Sequence, residues 1–124
     1  MAEYWGYHYM INASGCDPNL IDDSENIANF TEHLVKDIDM VAYGEPQIVR
    51  FAEHDPSKAG YTLIQLIETS NIAAHFVPAF GELYLDAFSC KSFDRFVVRE
   101  LVYKYFGAKD HNDHFILRKA PSNG

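Results

Sequence analysis

The chain is short of cysteine, of basic residues and of long apolar runs, and each shortage removes a class of protein. Two cysteines in 124 residues, Cys16 and Cys90, are too few for a disulfide framework and read as free thiols. Lysine and arginine number 10 against 18 acidic residues, leaving a net charge of −8. A field of that sign repels phosphate backbones and anionic headgroups, so neither nucleic acid nor membrane is an expected partner. No stretch approaches the roughly 20 apolar residues of a membrane-spanning helix. The opening Met1-Ala2-Glu3-Tyr4-Trp5 has no basic segment leading into an apolar one, and a cytoplasmic location is expected. The seven glycines are scattered, so there is no phosphate-cradling loop, and no Gly-x-Ser-x-Gly elbow occurs. His111-Asn112-Asp113-His114 has no third convergent ligand in sequence, and no metal is expected.

What is present is apolar and aromatic material, 48% and 15% of the residues, enough for one core and hence a single domain over residues 1–124. Tyr4 to Ala13 reads as a first strand, ended by Ser14-Gly15-Cys16-Asp17-Pro18. Asp22, Asp23 or Ser24 caps a helix whose apolar stripe is Ile27, Phe30, Leu34, Ile38 and Val41, with Gly44 and Pro46 as stop and turn. Gln47 to Phe51 is a short strand, and Ala52 to Gly60 the most loop-like stretch of the interior. Tyr61 to Thr69, Ile72 to Val77 and Gly81 to Cys90 read as three further strands. Period 2 places Thr62, Ile64, Leu66, Glu68 and Ser70 on one face, and Tyr84, Asp86, Phe88 and Cys90 on another. Ser92 caps a second helix carrying Phe93, Phe96, Val97, Leu101 and Tyr105 on one side and ending at Gly107, and His111 to Lys119 is the last strand. The order β-α-β-β-β-β-α-β predicts an α+β fold, a two-layer sandwich with a mainly antiparallel sheet and two helices on one face. The other face is then solvated, ligand-binding or covered by a second subunit.

The chemistry concentrates between residues 62 and 90. Ser70 lies five residues before His75, and His75 fifteen before Cys90, which puts a hydroxyl, a base and a thiol near strand ends. That set can support acyl chemistry, although nothing in the sequence positions an oxyanion hole at Ser70, which counts against an ordinary hydrolase.

In a chain of this length and element order, those residues resemble the short prokaryotic type of S-adenosylmethionine decarboxylase, a pyruvoyl-dependent family. Its motifs are like Glu-Ser-His-x-x-x-His-Thr-Trp-Pro-Glu and Asp-Leu-Phe-Thr-Cys; the chain has Thr69-Ser70-Asn71-Ile72-Ala73-Ala74-His75-Phe76-Val77-Pro78-Ala79 and Asp86-Ala87-Phe88-Ser89-Cys90. Gly6-Tyr7-His8 and Cys16-Asp17 fit as well. The resemblance implies that Ser70 attacks the carbonyl of its own preceding peptide bond, that the chain splits between residues 69 and 70, and that Ser70 becomes a pyruvoyl group. That carbonyl takes up the substrate amine as a Schiff base and accepts electrons as carbon dioxide leaves. Thr62, where the family has serine, and His75 would assist the processing, and Cys90 would be the proton donor in turnover. A thiol suits that task, since an ordinary pKa of about 8.5 keeps it protonated at neutral pH yet able to release its proton. The implied substrate is S-adenosylmethionine, the product an aminopropyl donor for spermidine synthesis, and the implied assembly a homodimer whose sites draw on both chains.

The chain also departs from the family at Thr69, Asn71, Val77 and Ala79, where Glu, His, Trp and Glu are usual. Ala79 removes the carboxylate that faces the nucleoside ribose. A pyruvoyl decarboxylase of ornithine or arginine is therefore a second reading, and a non-cleaving binding or regulatory relative a third. Phe51 is the nearest candidate aromatic for stacking on adenine, and equally a candidate core residue.

Overall fold

The computed structural model describes residues 4–121. Six strands form one sheet: β1 (Gly6–Ser14), β2 (Ala42–Phe51), β3 (Gly60–Ile67), β4 (Ser70–Val77), β5 (Glu82–Ser89) and β6 (Asp110–Arg118). They lie in the order β2-β3-β4-β5-β1-β6, and every pairing is antiparallel. Two long helices, α2 (Ser24–Asp37) and α3 (Arg95–Phe106), follow a one-turn helix α1 (Pro18–Ile21) and touch each other and the sheet. The expected two-layer α+β architecture is what the chain adopts.

Alternation along the strands decides which side the helices cover. Tyr9, Ile11 and Ala13 of β1, Leu63 and Ile67 of β3, Ile72, Ala74 and Phe76 of β4, and Leu83, Leu85 and Ala87 of β5 are all buried in one core with the helices. Each large side chain fully buried there contributes about 1.5 to 3 kcal/mol. The intervening residues, among them His8, Thr62, Ile64, Leu66, Ala73, His75, Tyr84, Asp86 and Phe88, form the opposite face, which no helix covers.

Several local expectations shift. The cap of α2 is Asp23, whose carboxylate accepts from the amides of Glu25 and Asn26, and the cap of α3 is Asp94, not Ser92, accepting from Phe96. In α3 the buried residues are Val98, Leu101, Val102 and Phe106, while Phe96 lies outside beneath the guanidinium groups of Arg95 and Arg99. Val41, placed in the α2 stripe from sequence, is beyond the helix and exposed. Gly44 and Pro46 do not break the chain before β2 but lie within it. Gly44 takes φ 72° where the register against β3 shifts, and the missing amide of Pro46 is tolerated because β2 is an edge strand. Gly60, at φ 158°, lets β3 begin against the Phe76 carbonyl, a contact that a Cβ would obstruct.

Candidate active site

The β3–β4 turn, Glu68 and Thr69, lies against the end of β5. Ser70 opens β4 opposite Ser89, and the amide of Cys90 donates to the Thr69 carbonyl at 3.1 Å. That carbonyl belongs to the Thr69–Ser70 peptide bond. One backbone donor to it is thus in place, supplied from 20 residues beyond Ser70 by the pairing of β4 with β5. Ser70 is half-buried and its hydroxyl accepts from the Asn71 side chain at 3.3 Å; Cys90 is exposed, just past the end of β5.

The surroundings of this turn are tied in several directions. The hydroxyls of Thr69 and Ser89 are 2.6 Å apart, and the Met40 sulfur lies 3.3 Å from the first and 3.6 Å from the second. Ser89 is 1% exposed and accepts the Lys91 amide at 3.0 Å. The Lys91 ammonium reaches both the carbonyl and the carboxylate of Asp39, at 2.6 and 2.9 Å. That bond, with the charge beside it, holds the Asp39 carboxyl below the ordinary range. Asp39 sits at φ 58°, an uncommon conformation for a residue with a Cβ. The sequence did not show these ties, because Met40, Asp39 and Lys91 lie outside the quoted motifs and the contacts that join the segments span 20 to 52 positions.

Thr62 and His75 form a second pair. They face each other across β3 and β4 on the uncovered side, with Thr62 Oγ1 2.8 Å from His75 Nδ1. His75 Nε2 lies 3.1 Å from the Lys58 carbonyl. A carbonyl only accepts, so Nε2 carries the proton and Nδ1 receives the Thr62 hydroxyl, an arrangement in which a hydroxyl is held by a base.

The two pairs do not meet within one chain. His75 is five residues along β4 from Ser70, about 17 Å at the usual rise of a strand. It also points to the other side: Ser70 is in register with the buried Ile67 and Ser89, His75 with Thr62 and Tyr84 on the uncovered face. The sequence placed Thr62 and Ser70 on one face by counting parity along a single strand. The turn at Glu68–Thr69 divides that segment into two strands, and the count does not carry across it. The companion expectation for β5 holds for Tyr84, Asp86 and Phe88, while Cys90 is past its end.

The Thr62–His75 pair adjoins a cavity of about 420 Å³ lined by His75, Lys58, Phe80, Glu82 and Tyr84. Another, of about 630 Å³, is lined by Trp5, Phe88, Leu117 and Arg118. Both are within the range of sites for small ligands. Phe51 stands 52% exposed at the end of β2, two residues from Val49, the partner of Thr62. Ala79, in the turn Pro78–Phe80, is exposed and lines neither cavity. Among the described residues no group of three metal-ligating side chains occurs, and no helix is long and apolar enough to cross a membrane. Cys16, by contrast with Cys90, is a core residue whose thiol is pushed up to about 11 by burial and by the nearby Glu82 charge.

The fold and these strand-end pairs define a class: a two-layer α+β protein with one bare sheet face and polar groups gathered at the ends of its central strands. The profile of the family described as S-adenosylmethionine decarboxylase matches residues 7–119, and the chain belongs to that family. It is similar to the S-adenosylmethionine decarboxylase proenzyme of Pyrococcus horikoshii, 31% identical over 85 residues that cover 68% of this chain and 57% of the relative. The similarity thus spans little more than half of that relative's length. The proenzyme of the same name from Clostridium botulinum is 29% identical over 93 residues, covering 74% and 75%. Among solved structures, the adenosylmethionine decarboxylase of Aquifex aeolicus superposes with a TM-score of 0.81 over 99% of this chain and 98% of the other, at 20% identity, a likeness of fold.

Proposed function

We propose that the chain is the proenzyme of a cytoplasmic, self-processing decarboxylase of S-adenosylmethionine, supplying the aminopropyl donor of polyamine synthesis. The observation that carries the reading is the Thr69–Ser70 peptide bond: its carbonyl accepts the Cys90 amide, and the half-buried hydroxyl of Ser70 stands at the next residue. A carbonyl held by a donor is more readily attacked, because the negative charge that develops on its oxygen is already met. The Ser70 oxygen adds to the Thr69 carbonyl carbon, the C–N bond breaks, and the hydroxyl proton ends on the freed amine, leaving an ester. Loss of the Ser70 α-proton then expels Thr69 as a carboxylate, and hydrolysis of the resulting enamine with one water releases ammonia and leaves pyruvoyl at residue 70.

The residues present fit that group. Once formed, it supplies an electrophilic carbonyl that draws electrons from the substrate as carbon dioxide leaves. Cys90, exposed beside residue 70 and free of any disulfide, holds the proton that replaces the carboxyl group. Thr62 and His75 act on the processing step as a hydroxyl and its base. Since they stand about 17 Å from Ser70 along β4, the reading requires that they come from a second copy. The uncovered face supports this: Val49, Phe51, Ile64, Leu66, Tyr84 and Ile116 all lie on it and are exposed, an apolar surface that a symmetric dimer would cover.

The test is the denatured mass. The purified chain is expected to separate into residues 1–69 and 70–124, the second without a free amine at its start, and Ser70→Ala to stay whole and release no carbon dioxide from S-adenosylmethionine. Cleavage or turnover in Ser70→Ala would refute the mechanism. Cleavage with turnover only of ornithine or arginine would keep the chemistry and change the substrate.

A further inference from the structure

We propose that Thr69 is a positioning residue for the self-cleavage, acting through its hydroxyl. This rests on the processing reaction described above. Read as a departure from the family, Thr69 looks like loss; in the structure its side chain is instead one end of a chain of hydrogen bonds. The Lys91 amide donates to the Ser89 oxygen, the Thr69 and Ser89 hydroxyls share one hydrogen bond, and the Met40 sulfur lies within reach of both. Each hydroxyl has one proton and two lone pairs, so whichever of the two donates across the shared bond, the other has the sulfur as acceptor and neither buried oxygen is left unmatched.

The consequence falls on the peptide plane that reacts. Thr69 is held at two points, its carbonyl by the Cys90 amide and its side chain by Ser89, and both come from consecutive residues of the same segment. Two tethers fix the rotation of the carbonyl, where one would leave it free to swing. The segment that supplies them is itself anchored: Lys91 is clasped by the carbonyl and carboxylate of Asp39, the residue before Met40. The closed circuit runs from Asp39 to Lys91, through Ser89 and Thr69, and back to Met40. Holding a reacting group within a narrow range of angles is worth large factors in rate, so the loss of one tether should appear in the first step, the attack of Ser70, and not in the elimination.

The experiment follows cleavage of the wild type, Thr69→Val, Thr69→Ser and Ser89→Ala by denatured mass. Hydroxylamine is added to intercept the ester as a Thr69 hydroxamate, which separates the first step from the second. Thermal midpoints check that each variant is folded. Thr69→Val, which keeps the shape and loses the hydroxyl, and Ser89→Ala are expected to form ester roughly tenfold more slowly, the loss of about one hydrogen bond. Thr69→Ser is expected to restore the rate to near that of the wild type. A folded Thr69→Val or Ser89→Ala chain that forms ester at the wild-type rate overturns the proposal, and so does a Thr69→Ser chain as slow as Thr69→Val. A wild-type chain that never cleaves overturns the processing reaction and this proposal together. Should Thr69→Val not fold, Ser89→Ala decides, and Asp39→Asn, a change at the exposed end of the circuit, is expected to slow the same step by a smaller factor.

Discussion

If Thr62 and His75 serve the Ser70 of another copy, two crippled chains should repair each other. The distance sets the terms: Ser70 and His75 are five residues apart on one strand, about 17 Å, and on opposite faces, whereas proton transfer needs about 3 Å. No side-chain rotation closes that gap, so within one chain the two cannot cooperate. A His75→Ala chain keeps its Ser70 and Cys90 but offers no base to its partner; a Ser70→Ala chain cannot be cut but still offers Thr62 and His75. Co-expressed in equal amounts with different tags, random pairing places about half of the His75→Ala chains beside a Ser70→Ala partner. About half of the His75→Ala chains should therefore be cut at a time when the His75→Ala protein made alone is still whole, and none of the Ser70→Ala chains. The assay is the denatured mass of each tagged chain. Cleavage of His75→Ala chains no faster in the mixture than alone would refute the shared site, and with it the reason for a dimer.

Two further outcomes follow from shifted proton affinities. With its thiol pushed up to about 11, Cys16 is only roughly 0.1% thiolate at pH 8 and is shielded besides, so a disulfide reagent should titrate one thiol, Cys90, in the folded chain and two after denaturation; two fast equal phases would contradict the burial. Tyr9 is buried and donates to the Asp113 carboxylate at 2.6 Å, and both burial and that bond push its proton affinity upward. Raised in the fold relative to about 10 in the unfolded chain, it contributes stability that is present below pH 10 and lost as the pH climbs further. The urea midpoint should fall above pH 10, and Tyr9→Phe should flatten that fall; parallel curves for the two proteins would count against it.

Much of the fold is legible from alternation and capping. Six strands and two long helices follow from period-2 and period-3.6 patterns that burial enforces, as in Leu83, Leu85 and Ala87 against Tyr84, Asp86 and Phe88. What escaped depends on partners rather than on pattern. Pro46 reads as a break until β2 is known to be an edge strand, and Phe96 reads as core until Arg95 and Arg99 are found over its ring. α3 offers two apolar stripes, and the packing against α2 and β1 decides which is buried.

The site shows a sharper limit of the same kind. Spacing along the chain brought Thr62, Ser70, His75 and Cys90 forward as one set, and every member proves to have a close polar neighbour among strand-end residues. The fold nonetheless sorts them into two pairs, because antiparallel pairing joins Thr62 to His75 and Ser70 to Ser89, next to Cys90, while the rise of β4 separates one pair from the other. A linear motif records which groups a reaction needs but not which chain supplies each. The uncovered face links the two facts. Thr62 and His75 lie on it among exposed apolar side chains, so a contact that buried Ile64, Leu66 and Tyr84 would also take this pair into the contact with another copy. With no helix over this face of the sheet, the cover for those side chains and the use of the Thr62–His75 pair would then depend on one surface.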